Sequence, residues 1–282
     1  FPIGISTQPQ WNVEAASPST MIFPALLGLL CLGLIVEGSS KKGVAVPSET
    51  YRCGDFHALR GISWWYDWGQ TPYYHNGCGE ALLPGRVPMV WGWRNGIDLP
   101  LNIPHDATAI LGFNEPNFHP QSNISPQAAA QHWRELQNKV GAGRVLVSPS
   151  PAPCGGSICM SNTDQWFREF FAACHDCRVD YIATHAYWCD PDITMHYLEG
   201  LWNEFHKQIW LTEFSCPQKN SVAEQLAYMR ALLPRLESAH YVAKYSWFAS
   251  RFHGDGWAVS ATSLLDQHSS TLTQLGHYYV NF

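Results

Sequence analysis

Two short apolar runs, each ending on a glutamate, constrain this chain more than any other feature. Ala109-Ile110-Leu111-Gly112-Phe113 leads into Asn114-Glu115-Pro116-Asn117, and Ile209-Trp210-Leu211-Thr212-Glu213-Phe214 leads into Ser215-Cys216-Pro217. Both runs are short and bounded by turn formers, which is how a fully buried strand reads. Pro116 has no N–H to give a sheet ladder, so the first strand must stop at or near Glu115. Each strand therefore delivers a carboxylate at its C-terminal lip.

The rest of the chain supplies more such strands, separated by helical patterns. Residues 60–67, 87–92, 145–151, 181–188 and 242–248 read as strands. Ser125 and Pro126 open a helix, as N-cap and first residue, and Gly141 stops it. Helices are expected near residues 164–173, 193–206 and 270–280. Ser221-Val222-Ala223-Glu224 fits a capping box that starts a helix reaching about Ser238, with a kink expected at Pro234. Strands alternating with helices imply parallel βαβ units. Nearly every strand carries its polar and aromatic residues at its C-terminal end, as in a (β/α)8 TIM-type barrel. Seven strands are clear. The eighth is expected within 69–86 or 95–107, which leaves a reduced or irregular second β/α unit. An open doubly wound sheet is the alternative, but the Gly-rich phosphate loop it usually carries is absent.

Composition narrows the class of function. A formal net charge of −6 argues against nucleic acid, and 14% charged against 13% aromatic residues suits stacking on flat, uncharged ligands. Met21–Val36 is an apolar run of signal-peptide length, too short to span a bilayer, with a cleavage site expected after Gly38. Translation is expected to start at Met21, with residues 1–20 upstream of it. Residues 1–40 are accordingly excluded from the fold, 41–59 read as a linker or N-terminal segment, and 60–282 as the barrel. Outside the apolar run eight cysteines remain, an even number that reads as disulfides in a secreted chain. Cys174-His175-Asp176-Cys177 has no second CxxC or HxxxH partner, so no metal or other cofactor is expected. Asn123-Ile124-Ser125 is an N-glycosylation sequon, weakened by Pro126.

Breaking a glycosidic bond calls for two carboxyl groups facing each other across that bond, and Glu115 and Glu213 at strand ends fit that need. The simpler reading, in which each merely pairs with an Arg at a barrel rim, is less economical for two such residues among aromatics. No Gly-x-Ser-x-Gly elbow and no HExxH occurs, which excludes those hydrolases.

The segments GISWWYDW, PMVWG, LGFNEPN, VSPSPA, YIATHAYW, WLTEF and YSWF follow one another from about Arg60 to the C-terminus. In this combination the chain resembles the Asl1-like glycosyl hydrolase catalytic core, glycoside hydrolase family 128. The resemblance implies a (β/α)8 barrel, retaining cleavage of β-1,3-glucan, Glu115 as acid/base after Asn114 on the fourth strand, and Glu213 as nucleophile on the seventh. Asn114 is expected to bond the sugar 2-OH, and His185 and Tyr187, two apart on one strand face, to bond substrate or orient Glu213. Trp65, Trp91 and Trp247 are expected to stack on glucose rings, although Trp64 and Trp65 point to opposite sides and only one can face the barrel mouth. Phe118, His119, Asp190 and Asp192 have a weaker claim to the groove. The expected protein is a secreted, monomeric, endo-acting glucanase whose partner is polysaccharide, with no membrane in its mature form. A β-1,4-specific glycosidase and a non-catalytic glucan-recognition protein are the alternatives.

Overall fold

The structure, a computed structural model, describes residues 39–72, 78, 82–154, 156–254 and 256–282. The apolar run Met21–Val36 and its cleavage site lie outside the described residues. Among the described residues seven strands are present: β1 (Lys42–Ala45), β2 (Trp64–Tyr66), β3 (Ala109–Leu111), β4 (Val145–Val147), β5 (Ile182–Ala186), β6 (Ile209–Phe214) and β7 (Val242–Trp247). Six helices accompany them: α1 (Asp55–Ala58), α2 (Pro126–Val140), α3 (Thr163–Ala173), α4 (Pro191–Phe205), α5 (Val222–Ser238) and α6 (Gln274–Asn281).

The strands form one five-stranded sheet in the order β2-β1-β7-β6-β5 and a two-stranded sheet β3-β4, all parallel. Residues 86–90 run between them as a further stave. It touches β2 through a Trp65–Arg86 bridge and β3 through Met89–Leu111, with Val87 N–H donating to Trp65 O (2.9 Å) and Val90 N–H to Leu111 O (2.9 Å). Pro88 has no N–H to give, so this stave never becomes a regular ladder. A Val147–Tyr181 bridge joins β4 to the segment entering β5. Eight parallel staves thus follow one another in chain order, with the ladder thinned to single bridges at three places. By this count Glu115 follows the fourth stave and Glu213 closes the seventh.

The assignment of residues 41–59 to a linker is corrected, and with it the search for the eighth strand in 69–86 or 95–107. That strand is β1, paired on one side with β2 and on the other with β7. Its sequence, Lys-Gly-Val-Ala, lacks the apolar run that marks the others, because its lysine does structural work. Lys42 is buried, and its Nζ donates to the Tyr279 and Val280 carbonyls at the end of α6 (2.9 and 3.1 Å). These are carbonyls that a helix end leaves open.

Local rules decided the helices. Ser125 Oγ accepts from Ala128 N–H at the start of α2, and Gly141 (φ 75°) follows its last turn. Ser221 Oγ accepts from Glu224 N–H and donates to its carboxylate at the start of α5, with Pro234 inside the helix. The buried residues form two clusters. One draws on staves and their ends, including Trp64, Tyr66, Met89, Leu111 and Trp210, and fills the interior they enclose. The other holds alternate stave residues such as Val44, Trp65, Ile110 and Trp247 against the helices. Inward and outward side chains alternate, as the strand pleat requires. Four disulfides link Cys53–Cys78, Cys154–Cys159, Cys174–Cys177 and Cys189–Cys216.

Candidate active site

A cleft of about 770 Å³ opens at the C-terminal ends of the staves. Glu115 and Glu213 both line it, and both are largely buried. Glu115 sits in the left-handed region (φ 42°), uncommon for a residue with a Cβ, where the backbone turns out of the fourth stave. Its N–H donates to Ser150 O (3.1 Å) and its carbonyl accepts from Phe118 N–H (3.0 Å), which hold that turn. Asn117 braces the next loop, its amide nitrogen donating to Ala152 O and Ser161 O (2.9 and 3.0 Å) and its amide oxygen accepting from Ala152 N–H (2.8 Å).

His185 lies between the two glutamates with no exposed surface. Its Nδ1 is 2.8 Å from Glu115 Oε1 and its Nε2 3.5 Å from Glu213 Oε1. Burial by itself disfavours the imidazolium, but the Glu213 charge, followed by the bond to Glu115 and that residue's charge, outweighs it and raises the imidazole above its ordinary range. Glu213 also accepts from Tyr66 OH (3.0 Å), from Trp68 Nε1–H (2.9 Å) and from Tyr187 OH. Both phenols are pushed far above their usual range, first by burial and then by the Glu213 charge, so they remain donors. Asn114 donates through Nδ2 to Gln121 Oε1 (3.3 Å), while its Oδ1 is buried with no protein partner.

The structure therefore brings Asn114, Glu115, His185, Tyr187 and Glu213 together, with Trp91 in the cleft wall under the Arg94 guanidinium (4.4 Å to the ring centre). Trp65 and Trp247 are corrected, because both face the helices. The Trp65 indole donates to Leu83 O and that of Trp247 to Thr262 O. The aromatic lining comes instead from Trp68, Phe248, Phe252 and Trp257. Trp68 has the parity of the inward Trp64 and Tyr66, a signal that the run Trp64-Trp65-Tyr66-Asp67-Trp68 contains. Phe248 is the inward neighbour of Trp247. Phe118 lines the cleft, whereas His119 is exposed and contacts Asn123. Asp190 caps α4 and Asp192 pairs with Arg235, so neither serves the groove. Cys174 and Cys177 form a disulfide, which removes the thiolates a metal would need.

Parallel staves that carry two glutamates on one aromatic-lined face define a glycoside hydrolase. The chain belongs to the glycosyl hydrolase catalytic core family, whose model matches residues 43–279. It is 28% identical over 253 residues to alkali-sensitive linkage protein 1 of Schizosaccharomyces pombe, covering 86% of this chain. This chain spans about half of that relative, 45% of its length. Among solved structures it is similar to a subgroup II endo-β-1,3-glucanase of glycoside hydrolase family 128 from Sorangium cellulosum. The two are 35% identical with a TM-score of 0.72, over 84% of this chain and 97% of the other. A subgroup V exo-β-1,3-glucanase from Cryptococcus neoformans matches with a TM-score of 0.72 at 25% identity, over 85% and 98% of the two chains.

Proposed function

We propose that this protein is a secreted, retaining β-1,3-glucanase that cleaves within chains, with Glu213 as nucleophile and Glu115 as acid/base. The observation that carries this reading is the single buried imidazole reaching both carboxylates. Retaining enzymes hold their carboxyls about 5–5.5 Å apart and inverting ones about 6.5–9.5 Å; retention follows the family 128 resemblance, and the anomer of the first product tests it. In the first step a Glu213 oxygen bonds to the anomeric carbon as the glycosidic C–O bond breaks, and the Glu115 proton passes to the departing oxygen. In the second, Glu115 takes a proton from water, whose oxygen displaces Glu213 from the same carbon. Tyr66, Trp68 and Tyr187 converge on Glu213, the setting of an anionic acceptor held in one rotamer. The unpartnered Asn114 Oδ1 suits a sugar hydroxyl.

The β-1,3-glucan specificity and endo action follow the Sorangium enzyme, the more similar of the two solved structures. Secretion is supported by the four disulfides. Incubation with laminarin, carboxymethylcellulose and mannan, following reducing ends, tests the assignment. Laminarin alone should be cleaved, by a mixture of chain lengths, with the β-anomer appearing first. Glu213→Gln and Glu115→Gln should each lose activity by about 10³-fold or more. An α-anomer first product would overturn retention, cleavage of mannan or the cellulose derivative the specificity, and binding of laminarin without cleavage the enzyme itself.

A further inference from the structure

The wall of the cleft has a second hollow on its outer side, of about 460 Å³, bounded by Trp93, Arg94, Ser122, Asn123, His132 and Met160 among others. The two spaces share a partition. Gln121 lines the cleft and Ser122 the hollow, and Ser122 N–H donates to Asn114 O (3.3 Å) just before Glu115. Arg94 lines the hollow while its guanidinium stacks on Trp91, which lines the cleft. A glucan leaving the cleft over Trp91 would therefore meet this hollow next.

Its chemistry is unusual for a simple surface dent. Ser122 Oγ and His132 Nδ1 are both buried, and neither has a protein partner. Buried polar atoms in folded proteins nearly always have one, so two orphans in one hollow mark groups that a ligand would satisfy. Both groups are neutral, since burial outweighs the Glu135 charge and lowers the His132 imidazole. The cation lining the hollow, Arg94, is committed to Asp98 through Nε (2.8 Å). Beside these atoms stands the Trp93 indole, kept in place by a stacked His132 ring at 5.1 Å and edge contact with Phe113 at 5.9 Å. Neutral hydrogen-bonding groups next to an indole suit a pyranose, and the Lys139 ammonium standing over the same ring (6.0 Å to its centre) can donate to a sugar hydroxyl as well.

We propose that this hollow is an outer sugar site, which takes a glucosyl unit of a chain extending past Trp91. The inference rests on the glucan reading of the cleft and adds a length preference to it. The full chain carrying Glu213→Gln tests it, titrated with laminarihexaose and with laminaribiose. Tryptophan fluorescence reports occupancy of the cleft, and the His132 imidazole nitrogen resonances report the hollow. Hexaose should move both signals and biose the fluorescence alone. Ser122→Leu, which fills the hollow, should weaken hexaose binding about fivefold to tenfold and leave biose binding unchanged. Hexaose that moves the fluorescence but not the His132 resonances would overturn the outer site and leave the glucan reading standing. If neither sugar moves either signal, both fail together.

Discussion

His185 has no exposed surface, and its two ring nitrogens address both glutamates. An imidazolium there offsets the Glu213 charge that the site buries. Removing it should therefore harm chemistry more than binding. His185→Ala is expected to lower kcat on laminarin by about 10²-fold with KM little changed. A change confined to KM would instead make His185 a binding residue. The same group links stability to pH. Its folded pKa is raised. Its stabilisation is therefore full below the unfolded value, about 6.5, and is lost as pH rises through the higher folded value. The urea midpoint of the native protein should exceed that of His185→Ala by more at about pH 5.5 than at about pH 9. An advantage that grows with pH would remove the imidazolium from the site. The glutamates, Asn114, His185 and Tyr187 were legible because strand ends and the period of two decide which way they point. The tryptophans were not, because Trp64 and Trp65 differ only in parity, and nothing local says which parity is inward. Pairing fixes it: Trp64 packs against Trp210 inside the staves, so Tyr66 and Trp68 follow it toward Glu213.

At the scale of elements, β3 delivers Glu115 through a close approach to β4 and α2 that Gly112 makes possible. A Cβ on Gly112 would lie 2.6 Å from Pro149 N and 2.6 Å from Trp133 Cζ3. The first neighbour is backbone and the second a fully buried indole, so neither yields cheaply. Gly112→Ala is expected to cost about 1–3 kcal/mol, read as a lower urea midpoint, and to reduce activity because the turn carrying Glu115 moves with β3. Unchanged stability would show that β3 and β4 have room to part. The helices were legible from caps, as α2 and α5 illustrate, because a cap is a local bargain between neighbouring residues. The third stave was legible as the strand 87–92, although Pro88 removes a ladder donor and keeps its pairing to single bridges. The first was not: Lys42 reads as a solvated linker residue until α6 returns from the far end of the chain to bind it. That stave is decided by a partner distant in sequence.

For the whole molecule, the disulfides differ in what they can contribute. In the chain-entropy picture a crosslink stabilises by restricting the unfolded chain, more for a longer loop. Cys53–Cys78 and Cys189–Cys216 are 25 and 27 residues apart in sequence, while Cys154–Cys159 and Cys174–Cys177 are 5 and 3 apart. The long pair should each stabilise by about 3.5 kcal/mol and the short pair by about 2 kcal/mol or less. Position adds a functional difference. Cys189 follows Tyr187 just beyond β5, and Cys216 follows Glu213 just beyond β6, so this bridge ties together the two segments whose side chains meet at Glu213. Cys174–Cys177 lies behind α3, away from the cleft lining. Cys189→Ala with Cys216→Ala is therefore expected to lower the urea midpoint by roughly twice as much as Cys174→Ala with Cys177→Ala, given the loop lengths. It should also lower kcat on laminarin at temperatures where the variant is still folded, whereas the other pair should leave kcat unchanged. Equal losses of stability would show that loop length does not govern these crosslinks. An unaltered kcat in the folded Cys189–Cys216 variant would show that the staves hold Tyr187 against Glu213 without the bridge.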